Sequence, residues 1–164
     1  MPNAARGRLN YVQAKKAQEA ADVILGTFSV NSVPAQVLFD SGASHSFVAQ
    51  PFVERSEMKP RKMRKPMLVQ IPGSKTRTEL SCPKVPVEIH GVVFPANLIV
   101  LGTEGIDVIL GMNWLSKYEG RIDCTRRTVD LTSTEGVHVI YTAKLEPTVI
   151  QASQCQPMES FPDT

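Results

Sequence analysis

The residues best placed to do chemistry stand in one run, Val37-Leu38-Phe39-Asp40-Ser41-Gly42-Ala43-Ser44. Three apolar residues end at an aspartate and small residues follow at once. The run predicts a strand that delivers a carboxylate to a tight loop. Such carboxylates hydrolyse peptide bonds in pairs. Two at close range share one proton, because their like charges repel too strongly for both to ionise. The ionised member takes a proton from water, and the protonated member polarises the carbonyl. The apparent pKa values of such a dyad belong to the pair. This chain has the run once. If Asp40 works in such a dyad, the other aspartate comes from a second copy, and the expectation is a homodimer with a shared site.

Alone, Asp-Ser-Gly is most often a plain turn. Here an apolar strand would bury the base of Asp40, and Gly42 is read as free to take a backbone conformation closed to residues with a Cβ. Gly42 also lets backbone N–H groups approach the carboxylate. The Ser41 hydroxyl needs a partner if buried, and the facing loop of the dyad can supply one. Ala43 and Ser44 are expected to border a substrate cleft. Further on, Ile106-Asp107-Val108-Ile109-Leu110-Gly111-Met112-Asn113-Trp114-Leu115 reads as a buried strand, a glycine break and a short helix. Ile109, Leu110 and Gly111 are expected beneath the catalytic loop, with Trp114 anchoring the helix in the core. Asp22, Asp107, Asp123 and Asp130 lack the strand-to-glycine-turn context. A serine hydrolase would need Ser41 or Ser44 on a base. His45 adjoins Ser44, but adjacent side chains rarely meet in that geometry, and no Gly-x-Ser-x-Gly elbow is present.

With these two motifs and the block Gly120-Arg121-Ile122-Asp123-Cys124, residues 20–132 resemble the retropepsin family. The resemblance is nearer still to the protease segment of plant gypsy-type LTR-retrotransposon gag-pol polyproteins. It implies a mostly β, small closed barrel-like acid-protease fold, one lobe per chain, with one short helix after the Ile-Leu-Gly strand. It implies an aspartic endopeptidase that cuts its own polyprotein, a homodimer, and a Ser at position 41 that locks the two loops together. The hairpin around Pro72, Gly73 and Ser74 would be the flap that closes over substrate. Two features depart from the better-known viral members. No tyrosine stands near the flap tip, and Met112 then Asn113 follow Gly111 where many relatives have an arginine that helps hold the dimer. Met158-Glu159-Ser160-Phe161-Pro162-Asp163 resembles the junction into reverse transcriptase, so the chain is expected to be a fragment of a longer polyprotein or the product of a truncated gene model. The competing reading is a decayed or domesticated copy that only dimerises or binds peptide.

At 164 residues the chain predicts one domain with tails. The expected divisions are a linker or frayed helix over 1–21, the protease domain over 22–132, and a strand and linker over 133–164. Two lobes of usual domain size would need about twice this length. Hydrophobic residues at 42% against 21% charged support a core, and twelve prolines with ten glycines suit many short strands and turns. No apolar run approaches the roughly 18 residues of a membrane span. The N-terminus lacks the apolar core of a signal peptide, so a cytoplasmic setting is expected, with virus-like particles as the one the resemblance suggests. Cys82, Cys124 and Cys155 are odd in number and far apart, which predicts free thiols. His45, His90 and His138 are scattered, so neither metal nor cofactor is expected.

Net charge is +2 but uneven. The basic excess gathers in Lys59-Pro60-Arg61-Lys62-Met63-Arg64-Lys65. The expectation is a solvated loop, with nucleic-acid contact through Lys59–Lys65 as the lesser alternative. No aromatic residue interleaves the run, so it offers no base-stacking platform. The remaining elements read as follows. Strands over 22–30 and 35–39 flank a turn at 31–34. A short helix follows in 46–55, with Ser46 as its expected cap and Pro51 in its first turn. A hairpin spans 67–71 and 76–81, and another spans 84–90 and 92–101 around His90-Gly91. A β pair covers 121–124 and 128–131, and a further strand lies within 133–142.

Overall fold

The computed structural model describes residues 22–71, 74–103 and 105–144. Strands β1 (Val23–Val30) and β2 (Val33–Asp40) alternate between exposed and buried positions, as a sheet with one face on a core requires. Asn31 and Ser32 join them with φ values of 52° and 69°. Positive φ at both turn positions matches the twist of flanking strands, and Asn tolerates it. Because two residues suffice, β2 begins at Val33 rather than at 35.

Strand β3 (Phe47–Ala49) is wholly buried and runs into helix α1 (Gln50–Arg55). Pro51 sits in the first turn of α1, where its missing N–H costs no helical bond. The helix has no side-chain cap, so the expected capping by Ser46 is not what that residue does. Next come β4 (Arg61–Ile71), β5 (Ser74–Val85), β6 (Val87–Ile89), β7 (Val92–Val93), β8 (Ala96–Leu101) and β9 (Val108–Leu110). Helix α2 (Met112–Lys117) follows Gly111 directly, then β10 (Arg121–Asp123), β11 (Thr128–Thr132) and β12 (His138–Thr142).

The strands form a nine-stranded sheet, ordered β4-β5-β8-β3-β9-β2-β1-β6-β7, and a three-stranded sheet, β10-β11-β12. The fold is mostly β. The closed barrel expected from the resemblance is not found among the described residues, since the ladder ends at β4 on one side and β7 on the other. Two further expectations change. The basic run is not a loop, because Arg61–Lys65 open β4, although their cationic side chains stay exposed. The segment 92–101 is not one strand. Phe94 is fully buried and Pro95 supplies no N–H, so the chain leaves the β6–β7 hairpin and re-enters the sheet as β8.

The core is aromatic at its centre. Phe39 of β2 is fully buried and lies 5.6 Å from Phe28 and 5.9 Å from Trp114, centroid to centroid. Burial of one such side chain contributes about 2 kcal/mol. Tyr141 of β12 packs edge-on to Phe28 at 4.7 Å. A Cβ on Gly26 would lie 2.6 Å from the Phe28 ring and 2.8 Å from the Tyr141 hydroxyl, so a glycine there makes room for that packing. Val139 and Ala143 join the same buried cluster, which therefore extends past residue 132. A smaller cluster of Phe47, Val69, Ile99 and Leu101, flanked by Met63 and Met67, joins the β4 edge of the sheet to β3 and β8.

Candidate active site

Asp40 ends β2, and β2 is held from both sides. It pairs antiparallel with β1 and parallel with β9, where Leu38 faces Ile109 and Phe39 faces Leu110. The apolar strand thus fixes the base of Asp40, which is 8% exposed. Gly42 donates its N–H to Asp40 Oδ1 at 2.8 Å, and Ala43 donates to the Asp40 carbonyl at 3.2 Å. The conformational reason expected for Gly42 does not hold. The positive-φ glycines among the described residues are Gly91, Gly105 and Gly136.

Ser41 is tied within its own chain. Its N–H donates to the Asp22 carbonyl at 3.0 Å, and its Oγ accepts the Asp22 N–H at 2.9 Å. Asp22 also accepts a bond from Cys124 Sγ at 3.6 Å. Burial first, then the Asp22 and Asp123 carboxylates, push the Cys124 thiol above its ordinary range, so it is no activated nucleophile.

The loop after Asp40 rests on the start of α2. Met112 donates its N–H to the Ala43 carbonyl at 2.7 Å, and Asn113 donates to Ser44 at 3.3 Å. Between them Gly111 passes so close that a Cβ would stand 2.2 Å from the His45 carbonyl oxygen and 2.6 Å from that of Ala43. Ser46, fully buried, completes the junction. Its Oγ accepts the Gly111 N–H at 3.0 Å and donates to Asn113 Oδ1 at 2.8 Å. Asn113 Oδ1 also accepts the Trp114 N–H at 2.8 Å. Trp114 is buried and donates its indole N–H to the Phe94 carbonyl, which anchors α2 in the core.

Ile109, Leu110 and Gly111 therefore lie against the loop that carries Asp40, Ser41 and Gly42. Ala43 and Ser44 differ from one another. Ala43 is 1% exposed and spends its carbonyl on α2, while Ser44 is exposed. Pro72 and Gly73 lie outside the described residues, and Ser74 opens β5 opposite Ile71. Sequence reasoning missed Ser46 and Asn113. A small polar residue ahead of a wholly apolar strand, and another just after a glycine, was the available signal. Asp107, set aside as a catalytic acid, has a structural role: it accepts the Gln36 N–H at 2.9 Å and stands 3.4 Å from Arg55, stapling β2 to its neighbours. One expectation is overturned outright. Ser44 Oγ and His45 Nδ1 do meet, at 2.9 Å, although the residues are adjacent. Among the described residues no carboxylate orients the other ring nitrogen, so the pair lacks the third member of a hydrolytic triad.

Among the described residues no cluster of His, Cys, Asp and Glu could hold a metal ion, and no helix is long and apolar enough to cross a membrane.

A mostly β domain that ends a central strand on a nearly buried carboxylate is of the acid-protease type. The chain belongs to the retroviral aspartyl protease family, whose sequence model matches residues 3–137. Among solved structures it is similar to the retroviral protease-like domain of Ddi1 from Leishmania major, with 19% identity over 67% of this chain and 88% of that one and a TM-score of 0.54. That likeness is one of fold. The EIAV protease complexed with the inhibitor HBY-793 is 24% identical over 56% of this chain and 84% of that one, with a TM-score of 0.47. No curated protein matches the chain.

Proposed function

We propose that this chain is an aspartic endopeptidase whose dyad is Asp40 and the Asp40 of a second copy, acting on the polyprotein that contains it. The observation that carries the reading is the half-site itself. Asp40 stands nearly buried at a strand end, held by the Gly42 N–H, in a family of aspartyl proteases. Ser41 supports the two-copy form. Its Oγ accepts one N–H from its own chain, and among the described residues its hydroxyl proton has no acceptor. The facing loop of a second copy offers one.

In such a dimer the two carboxylates share one proton and activate a water between them. The β4–β5 hairpin covers the apolar cluster of Phe47, Ile99 and Leu101, and a substrate chain laid there would be shielded from water.

The test is peptidase activity on polyprotein-derived peptides at mildly acidic pH and high protein concentration, with a statine-type inhibitor as control. Asp40→Asn should remove cleavage by about 10⁴-fold or more while leaving a folded dimer, as expected when half of an acid–base pair goes. Full activity in Asp40→Asn, or activity independent of concentration from a proven monomer, would sink the reading.

A further inference from the structure

The charge of this molecule is segregated, and the segregation follows one supersecondary unit. Strand β4 carries Arg61, Lys62, Arg64 and Lys65, and β5 carries Lys75, Arg77 and Lys84. The same two strands hold a single acid, Glu79. Of 18 Lys and Arg and 16 Asp and Glu in the chain, that leaves 11 cations against 15 acids elsewhere. A chain of net charge +2 therefore consists of a strongly basic hairpin on an acidic remainder.

Internal pairing does not neutralise the hairpin. Among the described residues its ion pairs are Lys62–Glu79 and Arg77–Glu79, both at 3.7 Å, so one carboxylate serves two cations. Lys62 is 78% exposed and Arg77 66%. Arg61, Arg64, Lys65 and Lys75 are exposed as well. The β4 cations lie in its first five residues, Arg61 to Lys65, a stretch of about 13 Å at 3.3 Å per residue. The pairing Leu68↔Arg77 and Gln70↔Lys75 continues the basic surface across to β5. An array of exposed cations spread over two strands raises the local concentration of a polyanion and releases its counterions on contact.

We propose that the outer surface of the β4–β5 hairpin binds the phosphate backbone of a nucleic acid without reading its bases. The hairpin has no aromatic residue on which bases could stack, so contact is confined to phosphates. An acidic polypeptide is the competing occupant. The extended, two-strand spread of the cations favours a ligand with a charge at every repeat over one with acids at scattered positions. The inference does not depend on the proposed proteolysis, because it rests on exposed cations, whereas that reading uses the Asp40 loop and the hairpin's apolar inner face.

The experiment is fluorescence anisotropy of the full chain with a labelled single strand of about 20 nucleotides, and with its duplex, between 50 and 200 mM salt. With four to seven phosphate contacts, log K should fall against log salt with a slope of about −3 to −5 for the single strand. Arg61→Gln, Arg64→Gln, Lys65→Gln and Lys75→Gln together should weaken binding at least about tenfold and flatten that slope. Lys117→Gln, Arg121→Gln, Arg126→Gln and Arg127→Gln together, the same charge removed from α2 and the three-stranded sheet, should do neither. Circular dichroism verifies that both variants fold. Three results would overturn the proposal: no saturable binding at 50 mM salt, equal losses in the two variants, or displacement by polyglutamate of matched charge at concentrations as low as by the oligonucleotide.

Discussion

The loop that carries Asp40 and the hairpin built from β4 and β5 differ in how much of what holds them is exposed. The loop is held by buried, short-range bonds with no spare room. Gly111 passes against two carbonyl oxygens, Ser46 is fully buried, and α2 is pinned through Trp114. The hairpin is held by the β5–β8 ladder, by the Thr78 bond to the Val100 carbonyl and by a small apolar cluster, and its ion pairs around one glutamate are exposed. The first region fixes atoms in place, as acid–base chemistry needs. The second packs its inner face on the sheet and leaves its charged side chains exposed.

Substitutions can break this contrast or sharpen it. The largest effect is expected at Gly111. In Gly111→Ala the new Cβ meets backbone oxygens that cannot swing away, so the Asp40 loop must move. The cost should be about 3 kcal/mol or more, at the upper end for overpacking, read as a lowered urea midpoint. A Gly111→Ala protein as stable as the parent would mean that the loop is not clamped. Next comes Ser46→Ala, which leaves the buried Gly111 N–H without its acceptor. The loss should be about 1–3 kcal/mol, and Ser46→Thr should recover part of it. The smallest effect is expected in the hairpin. Glu79 and its partners are 40–78% exposed, so Glu79→Gln should shift stability by less than about 1 kcal/mol. If Glu79→Gln destabilises as much as Ser46→Ala, the two regions are equally tight and the contrast fails.

The same division governs what could be read from the residues alone. The strand ending at Asp40, the turn after it and the Ile-Leu-Gly strand are legible because local rules decide them. Apolar runs bury, and small polar residues turn. Trp114 was read correctly as a core anchor for the same reason. Ser46 and Asn113 were not legible, because their value comes from a bond between residues 67 positions apart. The basic run was misread as a loop because charge masks strand propensity. Its Met63, Met67 and Val69 meet Phe47, Ile99 and Leu101 only in the folded sheet. Likewise, the contact of Ser44 with His45 depends on how the loop is bent over Gly111. The open order of the nine strands could not be foreseen either, since it rests on pairings such as β3 with β8 that no local pattern specifies.

The parallel pairing of β2 with β9 has a temporal consequence. Phe39 is registered against Leu110, and the Asp40 loop finds its seat only on Gly111 and the residues after it. Contacts so distant in sequence form late, because the intervening chain must first give up its freedom. On a growing polypeptide the loop would have no seat until residues near 113 had left the ribosome. Even with Asp40 long since made, a nascent chain lacks a formed site until most of its domain has been translated.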